Sequence, residues 1–78
     1  MPATQFDYDR EADVLYISIG KPREAVCTPD DDIEGLLYRH AMDNRELCGA
    51  TVVWYSRQSL EQLKAKVPWF TDWPEVSR

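Results

Sequence analysis

The stretch Phe6–Ile19, with the sequence FDYDREADVLYISI, contains two apolar runs joined by an acidic turn. The second run alternates between two faces, and both of them carry apolar residues: Leu15, Ile17 and Ile19 on one, Val14, Tyr16 and Ser18 on the other. A strand that is apolar on both faces is usually central in its sheet and covered on both sides. We therefore expect a hairpin whose second strand is central, with a helix over one face. The C-terminal segment or a second copy of the chain would cover the other.

Three further segments have the composition and alternation of strands. They are Ala25–Thr28, Ile33–His40 and Leu47–Tyr55. Pro29 cuts the first one short, which suits an edge strand. Gly35 in the second marks a bulge or the close approach of another backbone. Between the second and the third, residues 42–45 read MDNR and predict a hairpin turn, because Asp and Asn hydrogen-bond locally and tolerate left-handed geometry.

The hydrophobic period changes near residue 59. Leu60, Leu63 and Val67 recur at helical spacing. Ser59 and Gln62 have the spacing of a capping box, which predicts a helix near Ser59–Lys66. The predicted fold class is α+β: a small antiparallel β-sheet of four to five strands with one C-terminal helix packed on one face. We expect a single domain that spans residues 1–78.

A chain of 78 residues buries only roughly 60% of its unfolded surface. Small domains commonly compensate with disulfides, a metal or a partner chain. The sequence has two cysteines and one histidine, and Met1–Gln5 is too short and polar for a signal peptide. We therefore expect reduced thiols in a cytoplasmic protein, with no zinc site or other cofactor. No run approaches the ~20 apolar residues of a membrane span. Self-association as a homodimer is therefore the remaining way to compensate for the small buried surface of the chain.

The charge of the chain restricts its partners. The formal net charge is −5, and residues 1–46 carry eleven acidic against five basic side chains. An acidic domain repels the phosphate backbone, so nucleic-acid binding is disfavoured. A basic partner protein is compatible with the same surface.

Residues 8–17, YDREADVLYI, resemble the opening signature of the DUF2283 family, small bacterial proteins of unknown function. The matching positions are Tyr8, Asp9, Glu11, Ala12, Asp13, Leu15, Tyr16 and Ile17. A looser similarity covers the hairpin at 38–53, where the glycine of the family's turn and the Glu of its second strand are absent. The resemblance, over residues 6–60, implies a small antiparallel sheet with a C-terminal helix and no catalytic residues. It also implies an alternative function, as an antitoxin-like partner of a small basic toxin.

Two acidic segments could hold a metal ion. In the first, Asp7, Asp9, Glu11 and Asp13 stand at alternate positions like the start of a calcium loop, but Ala12 occupies the position that needs Gly. We interpret Asp7 as an exposed strand residue and Asp9 and Asp13 as acceptors for turn amides. In the second, residues 30–32 are three consecutive aspartates, which we interpret as a solvated loop.

His40 is the single histidine. A catalytic role would need an acid or nucleophile within hydrogen-bond reach, so a small enzyme using His40 with nearby carboxylates is the third functional hypothesis. Without such a partner, His40 is an exposed or rim residue at a strand end. Cys27 could act as a nucleophile only beside an activating group, and Cys48 is predicted to be a small core residue.

The aromatic residues suggest a binding role because tryptophan and tyrosine dominate interface energetics. The residues predicted to bind a partner are Val14, Tyr16, Trp54, Trp69, Phe70 and Trp73. For the last four, the alternative is that they seal the chain's own core. The function predicted from sequence is a non-enzymatic binding or oligomerisation module that forms a homodimer.

Overall fold

Five antiparallel strands form one sheet in the structure, a computed structural model that describes residues 3–21 and 23–76. The strands are β1 (Thr4–Asp9), β2 (Val14–Ile19), β3 (Ala25–Pro29), β4 (Leu36–Ala41) and β5 (Leu47–Val53). They are arranged in the order β1-β2-β5-β4-β3, so β2 is internal and β1 and β3 are the edges. A 3₁₀ turn, Tyr55–Arg57, and the helix α1, Leu60–Lys66, follow the last strand. The predicted α+β fold with an antiparallel sheet and a C-terminal helix is confirmed.

One face of the sheet, called the inner face below, carries the core. Leu15 is paired with Val52 and Ile17 with Ala50 across β2 and β5, and all four side chains are fully buried. They pack with Leu63 of α1 and with residues that follow the helix. Burial of these apolar side chains is the dominant favourable term in folding so short a chain.

The helix begins and ends where its caps predict. Ser59 is the N-cap, and its side chain accepts a hydrogen bond from the amide of Gln62 at 3.4 Å. The amide of Val67 closes the C-terminus on the carbonyl of Leu63. Among the described residues, no helix is long and apolar enough to cross a membrane.

Two strand boundaries differ from the prediction by more than one residue, and β3 and β4 each extend one residue further, to Pro29 and Ala41. β4 begins at Leu36 instead of Ile33, because Gly35 takes φ +92° in a turn. The predicted close approach at Gly35 is confirmed, since a Cβ there would lie 2.9 Å from the carbonyl oxygen of Val53. β5 ends at Val53 instead of Tyr55, because Trp54 adopts the left-handed φ of +55°.

Turns join the remaining elements. In the segment 20–22, where glycine and proline favour a turn, Gly20 has φ +69°, while Pro22 lies outside the described residues. In the β4–β5 turn, Arg45 has φ +61° and its amide bonds the carbonyl of Ala41. A register shift at Arg39 and His40 shows that the bulge lies there and not at Gly35.

Candidate functional sites

The acidic turn between β1 and β2 is held by its own carboxylates. One oxygen of Asp9 accepts hydrogen bonds from the amides of Glu11 at 3.1 Å and Ala12 at 3.2 Å. This local arrangement is an Asx turn, which fixes the backbone of the loop. The interpretation of Asp9 as an acceptor for turn amides is confirmed, and Asp7 is an exposed strand residue as expected.

Asp13 links this turn to a distant part of the chain. Its Oδ1 accepts from the Tyr8 hydroxyl at 2.5 Å and from the Ser56 amide at 2.9 Å, and its Oδ2 accepts from Ser56 Oγ at 2.6 Å. Its carbonyl also accepts from the amide of Tyr55. The prediction placed this amide in the hairpin turn and is wrong for Asp13. The amide that its carboxylate binds belongs to Ser56 in the 3₁₀ turn.

The electrostatics of Asp13 follow from these bonds. Desolvation raises the pKa of its carboxyl, but the hydrogen bonds from Ser56 and Tyr8 outweigh that effect, and the pKa is lowered overall. The bond to Asp13 raises the pKa of Tyr8. Because its carboxylate accepts three hydrogen bonds from Tyr8 and Ser56, Asp13 acts as a structural latch between the hairpin and the 3₁₀ turn.

The aspartate loop at residues 30–32 is also bound to the protein. Asp30 accepts from the Tyr38 hydroxyl at 2.7 Å and from the amides of Asp32 and Ile33 at 2.9 Å. Lys66, in the last turn of α1, donates to Asp32 at 2.6 Å. The cation that contacts this loop is therefore the ammonium group of Lys66. Residues 3–21 and 23–76 contain no group of three acidic, His or Cys side chains that could hold a metal ion.

The Tyr38–Asp30 bond leads to a prediction at alkaline pH. Partial desolvation and the bond to Asp30 raise the pKa of Tyr38 to about 12. Since the unfolded pKa is about 10, the stability that this shift supplies is present below pH 10 and is lost as the pH rises from 10 to 12. In a titration of phenolate absorbance, Tyr38→Phe should remove a phase near pH 12, whereas Tyr16→Phe, at an exposed position, should keep that phase. A phase near pH 12 that is unchanged in Tyr38→Phe would contradict the assignment.

The aromatic C-terminal segment packs against the chain's own core. Phe70 is only 2% exposed and meets Phe6 and Trp73 edge to face, with ring centroids 5.7 and 4.8 Å apart. Trp73 stacks on Tyr55, whose hydroxyl donates to the carbonyl of Pro74 at 2.6 Å. The indole N–H of Trp73 is buried and has no acceptor among the described residues.

These contacts correct the predicted aromatic patch. Phe70 cannot anchor a partner because it is part of the core, and Trp69 and Trp73 are partly buried against that core. Trp54 is 47% exposed and lines a separate hollow next to Arg57 and Gln62. The four rings therefore do not form one exposed surface. The C-terminal segment packs on the inner core and does not cover Val14 and Tyr16.

The opposite side of the sheet, called the outer face below, has no described element packed over it. By strand alternation and register it carries Val14 and Tyr16 of β2, Thr51 and Val53 of β5, Leu37 and Arg39 of β4, and Asp7 of β1. Tyr16 is 43% exposed, and Val14, Val53 and Leu37 are half-buried by their neighbours. The structure thus brings together two of the residues predicted to bind a partner.

Arg39 is a feature of the outer face that the sequence pattern does not reveal. Its guanidinium lies over Gly49 of β5 and reaches β2. There it donates to the carbonyl of Ile17 and to Ser18 Oγ, the latter at 3.0 Å. A Cβ at Gly49 would lie 2.5 Å from Arg39 Nη2 and against the Ile17 carbonyl. The glycine therefore makes room for the arginine. Arg39 has no carboxylate partner within residues 3–21 and 23–76.

His40 lines an open hollow of about 530 Å³ at the β3 side of the sheet. The other lining residues are Val26, Thr28, Ala41, Met42 and Arg45. The hollow is concave, but none of its lining residues is acidic, so it lacks the carboxylate that the enzymatic hypothesis needs next to His40. Cys48 is buried as predicted, and Cys27 is exposed on the edge strand β3.

Comparisons of this chain with protein-family models, with curated proteins and with solved structures found no match. The resemblance to the DUF2283 family therefore stays a prediction. What the structure adds is a physical role for the residues of its opening motif: Asp9 shapes the turn and Asp13 and Tyr8 form the latch.

Proposed function

We propose that the chain is a non-enzymatic interaction module that forms a homodimer through the outer face of its sheet. The observation that carries the proposal is the uncovered apolar group at the centre of that face, Val14, Tyr16, Val53 and Leu37. Sheets that face water on one side normally present polar side chains there. Burial against a second copy would remove this apolar surface from water.

The charges of the outer face favour a second copy over an unrelated partner. Asp7 lies on β1 at one side and Arg39 on β4 toward the other, and neither side chain has an ion-pair partner among the described residues. A twofold axis parallel to the strands and between β2 and β5 would bring β1 of one copy over β4 of the other. Asp7 would then face the side of the partner that carries Arg39. Such self-complementarity is what an isologous interface requires.

The proposal also includes the cellular compartment, which we infer from the state of the cysteines. Neither Cys27 nor Cys48 forms a disulfide. Reduced thiols are typical of cytosolic proteins, and we propose that the homodimer acts in the cytoplasm.

The dimer is testable by size-exclusion chromatography with light scattering. At micromolar concentrations we expect twice the chain mass of 9.1 kDa for the natural sequence. Tyr16→Lys should give the monomer mass, because it places two ammonium groups in the centre of the interface, where charges are strongly disfavoured. The matched control is Glu61→Lys, which adds the same side chain on the exposed face of α1.

Two outcomes would contradict this proposal. One is a natural chain that remains monomeric at tens of micromolar. The other is a dimer that survives Tyr16→Lys unchanged, which would assign the interface to a different surface. Circular dichroism of the variant should match that of the natural chain, since Tyr16 is already exposed and its replacement leaves the inner core intact.

A further inference from the structure

We propose that the hollow beside His40 binds a small organic anion, a monocarboxylate with a short apolar chain. Its lining combines two basic side chains, His40 and Arg45, and one hydroxyl, Thr28, with the apolar side chains of Val26 and Met42. Small-molecule sites typically have volumes of roughly 300–1,000 Å³ and a few convergent polar groups among apolar ones. At about 530 Å³ the hollow lies within that range.

Strand register explains how the hollow is built. β3 and β4 pair Val26 with His40 and Thr28 with Tyr38, so these side chains share the inner face of the sheet. Tyr38 packs against the core, whereas Val26 is 54% exposed and Met42, in the following turn, is 64% exposed. The hollow therefore lies beyond the part of the inner face that the core covers. Being on the opposite side from the outer face, it does not depend on the homodimer.

The polar groups of the hollow are free to bind a ligand. The side chains of His40 and Arg45 make no hydrogen bond or ion pair with any described residue. Two other cations are engaged by carboxylates, since Arg23 pairs with Glu46 and Lys66 with Asp32. A guanidinium matches a carboxylate through two parallel hydrogen bonds, and the apolar walls would contact a hydrocarbon chain.

The backbone at Arg45 supports the same assignment. An arginine with φ +61° occupies a conformation that glycine and asparagine adopt more readily. Strained residues of this kind occur preferentially at binding sites. Glycine or asparagine would form this turn at a lower conformational cost. We therefore assign the presence of arginine to a role of its side chain.

Hexanoate is a suitable probe, with 1-hexanol and hexylamine as neutral and cationic comparators of the same chain length. In NMR titrations, hexanoate should shift the signals of Val26, Thr28, His40 and Met42 with saturation in the millimolar range. Hexanol and hexylamine should shift the same signals at least about fivefold less at equal concentration, because a hydrogen bond to a charged group contributes roughly 1.5–3 kcal/mol.

The decisive variant is Arg45→Asn, which removes the guanidinium while keeping a residue that tolerates the left-handed backbone. It should weaken hexanoate binding about tenfold or more without loss of thermal stability. His40→Gln should weaken binding to a smaller extent. Lys64→Gln, at an exposed position on α1, is the matched control and should bind as the natural chain does.

The proposal is overturned if hexanoate shifts no signal near the hollow at 20-millimolar concentrations, a level on the order of the weakest specific binding expected for so small a ligand. It is also overturned if hexylamine shifts the same signals as strongly, or if Arg45→Asn and Lys64→Gln bind equally well. An unchanged thermal transition in Arg45→Asn would show that a loss of binding in that variant is not due to unfolding.

Discussion

A chain shortened to end at Pro68 is expected to lose cooperative unfolding altogether. The truncation removes Phe70 and Trp73, whose rings pack on Tyr55 and Phe6, and also the Pro74 carbonyl that accepts the Tyr55 hydroxyl. Deleting a buried Phe side chain such as Phe70 costs about 3–5 kcal/mol, and the loss of the partly buried Trp73 adds to that cost. A domain of this size has a total stability of roughly 4–12 kcal/mol, at 0.05–0.15 kcal/mol per residue. The two losses together are comparable with the total folding stability of the domain.

Thermal and urea unfolding, monitored by near-ultraviolet circular dichroism, measure this effect. The shortened chain should show no fixed aromatic signal and no sigmoidal transition. The point variant Phe70→Ala should retain a transition but lose about 3–5 kcal/mol of unfolding free energy. Trp54→Ala serves as the aromatic control, because Trp54 is 47% exposed and should cost much less. A truncated chain with the stability of the full one would show that the segment after Pro68 contributes nothing to the core.

The contrast between Trp54 and Phe70 shows where sequence patterns lose their information. Both are aromatic residues in a small domain, and composition cannot decide which of them is buried. The segment that contains Phe70 has no hydrophobic period, because it packs as an irregular strap and not as a helix or strand. Its position depends on contacts with Phe6 and Tyr55, which are distant in sequence.

Local patterns were informative where local physics decides the structure. The alternation in 14–19 predicted an internal strand, the composition of 47–55 predicted a further strand, and the capping residue Ser59 predicted the start of α1. The end of β5 was missed because tryptophan is a good strand former, whereas Trp54 adopts a left-handed conformation as the N-cap of the following 3₁₀ turn. Local propensity carries no signal for such a residue.

The same distinction between local patterns and contacts of distant residues applies to the candidate sites. Alternation alone was enough to assign Val14 and Tyr16 to the same face of the sheet, opposite Leu15 and Ile17. The path of Arg39 over Gly49 could not be assigned in this way, because it depends on the pairing of β4 with β5 and of β5 with β2. The hollow at His40 likewise depends on the pairing of β3 with β4, which places Val26 beside that histidine.

Asp13→Ala is expected to destabilise the protein by about 3–5 kcal/mol, the second largest single effect. The substitution leaves three donors without their acceptor: the Tyr8 hydroxyl, the Ser56 amide and the Ser56 hydroxyl. Each hydrogen bond to a charged group contributes roughly 1.5–3 kcal/mol, and bonds within one network are not additive. Alanine would also have to adopt the φ of +58° that Asp13 has, which adds a backbone penalty.

Asparagine separates the backbone effect from the charge. Asp13→Asn tolerates the left-handed conformation and retains one carbonyl acceptor, so we expect a loss of about 1–2 kcal/mol. Asp72→Asn is the control, because Asp72 is exposed and makes no hydrogen bond with a described residue; its effect should stay within about 0.5 kcal/mol. In a double-mutant cycle, Asp13→Asn and Ser56→Ala should be non-additive, since the two residues share two bonds.

The latch also predicts the acid limb of the stability profile. Because the pKa of Asp13 is lower in the folded protein than in the unfolded chain, the unfolded chain binds more protons in acid. The contribution of Asp13 is therefore present above the ordinary carboxyl pKa of about 3.9 and is lost as the pH falls through the folded value. Asp13→Asn should show a shallower loss of stability below pH 4, with the part due to Asp30, whose pKa is also lowered, remaining. Equal acid limbs in the natural chain and in Asp13→Asn, or a loss below about 1 kcal/mol for Asp13→Ala, would mean that the Asp13 carboxylate does not hold the hairpin to the 3₁₀ turn.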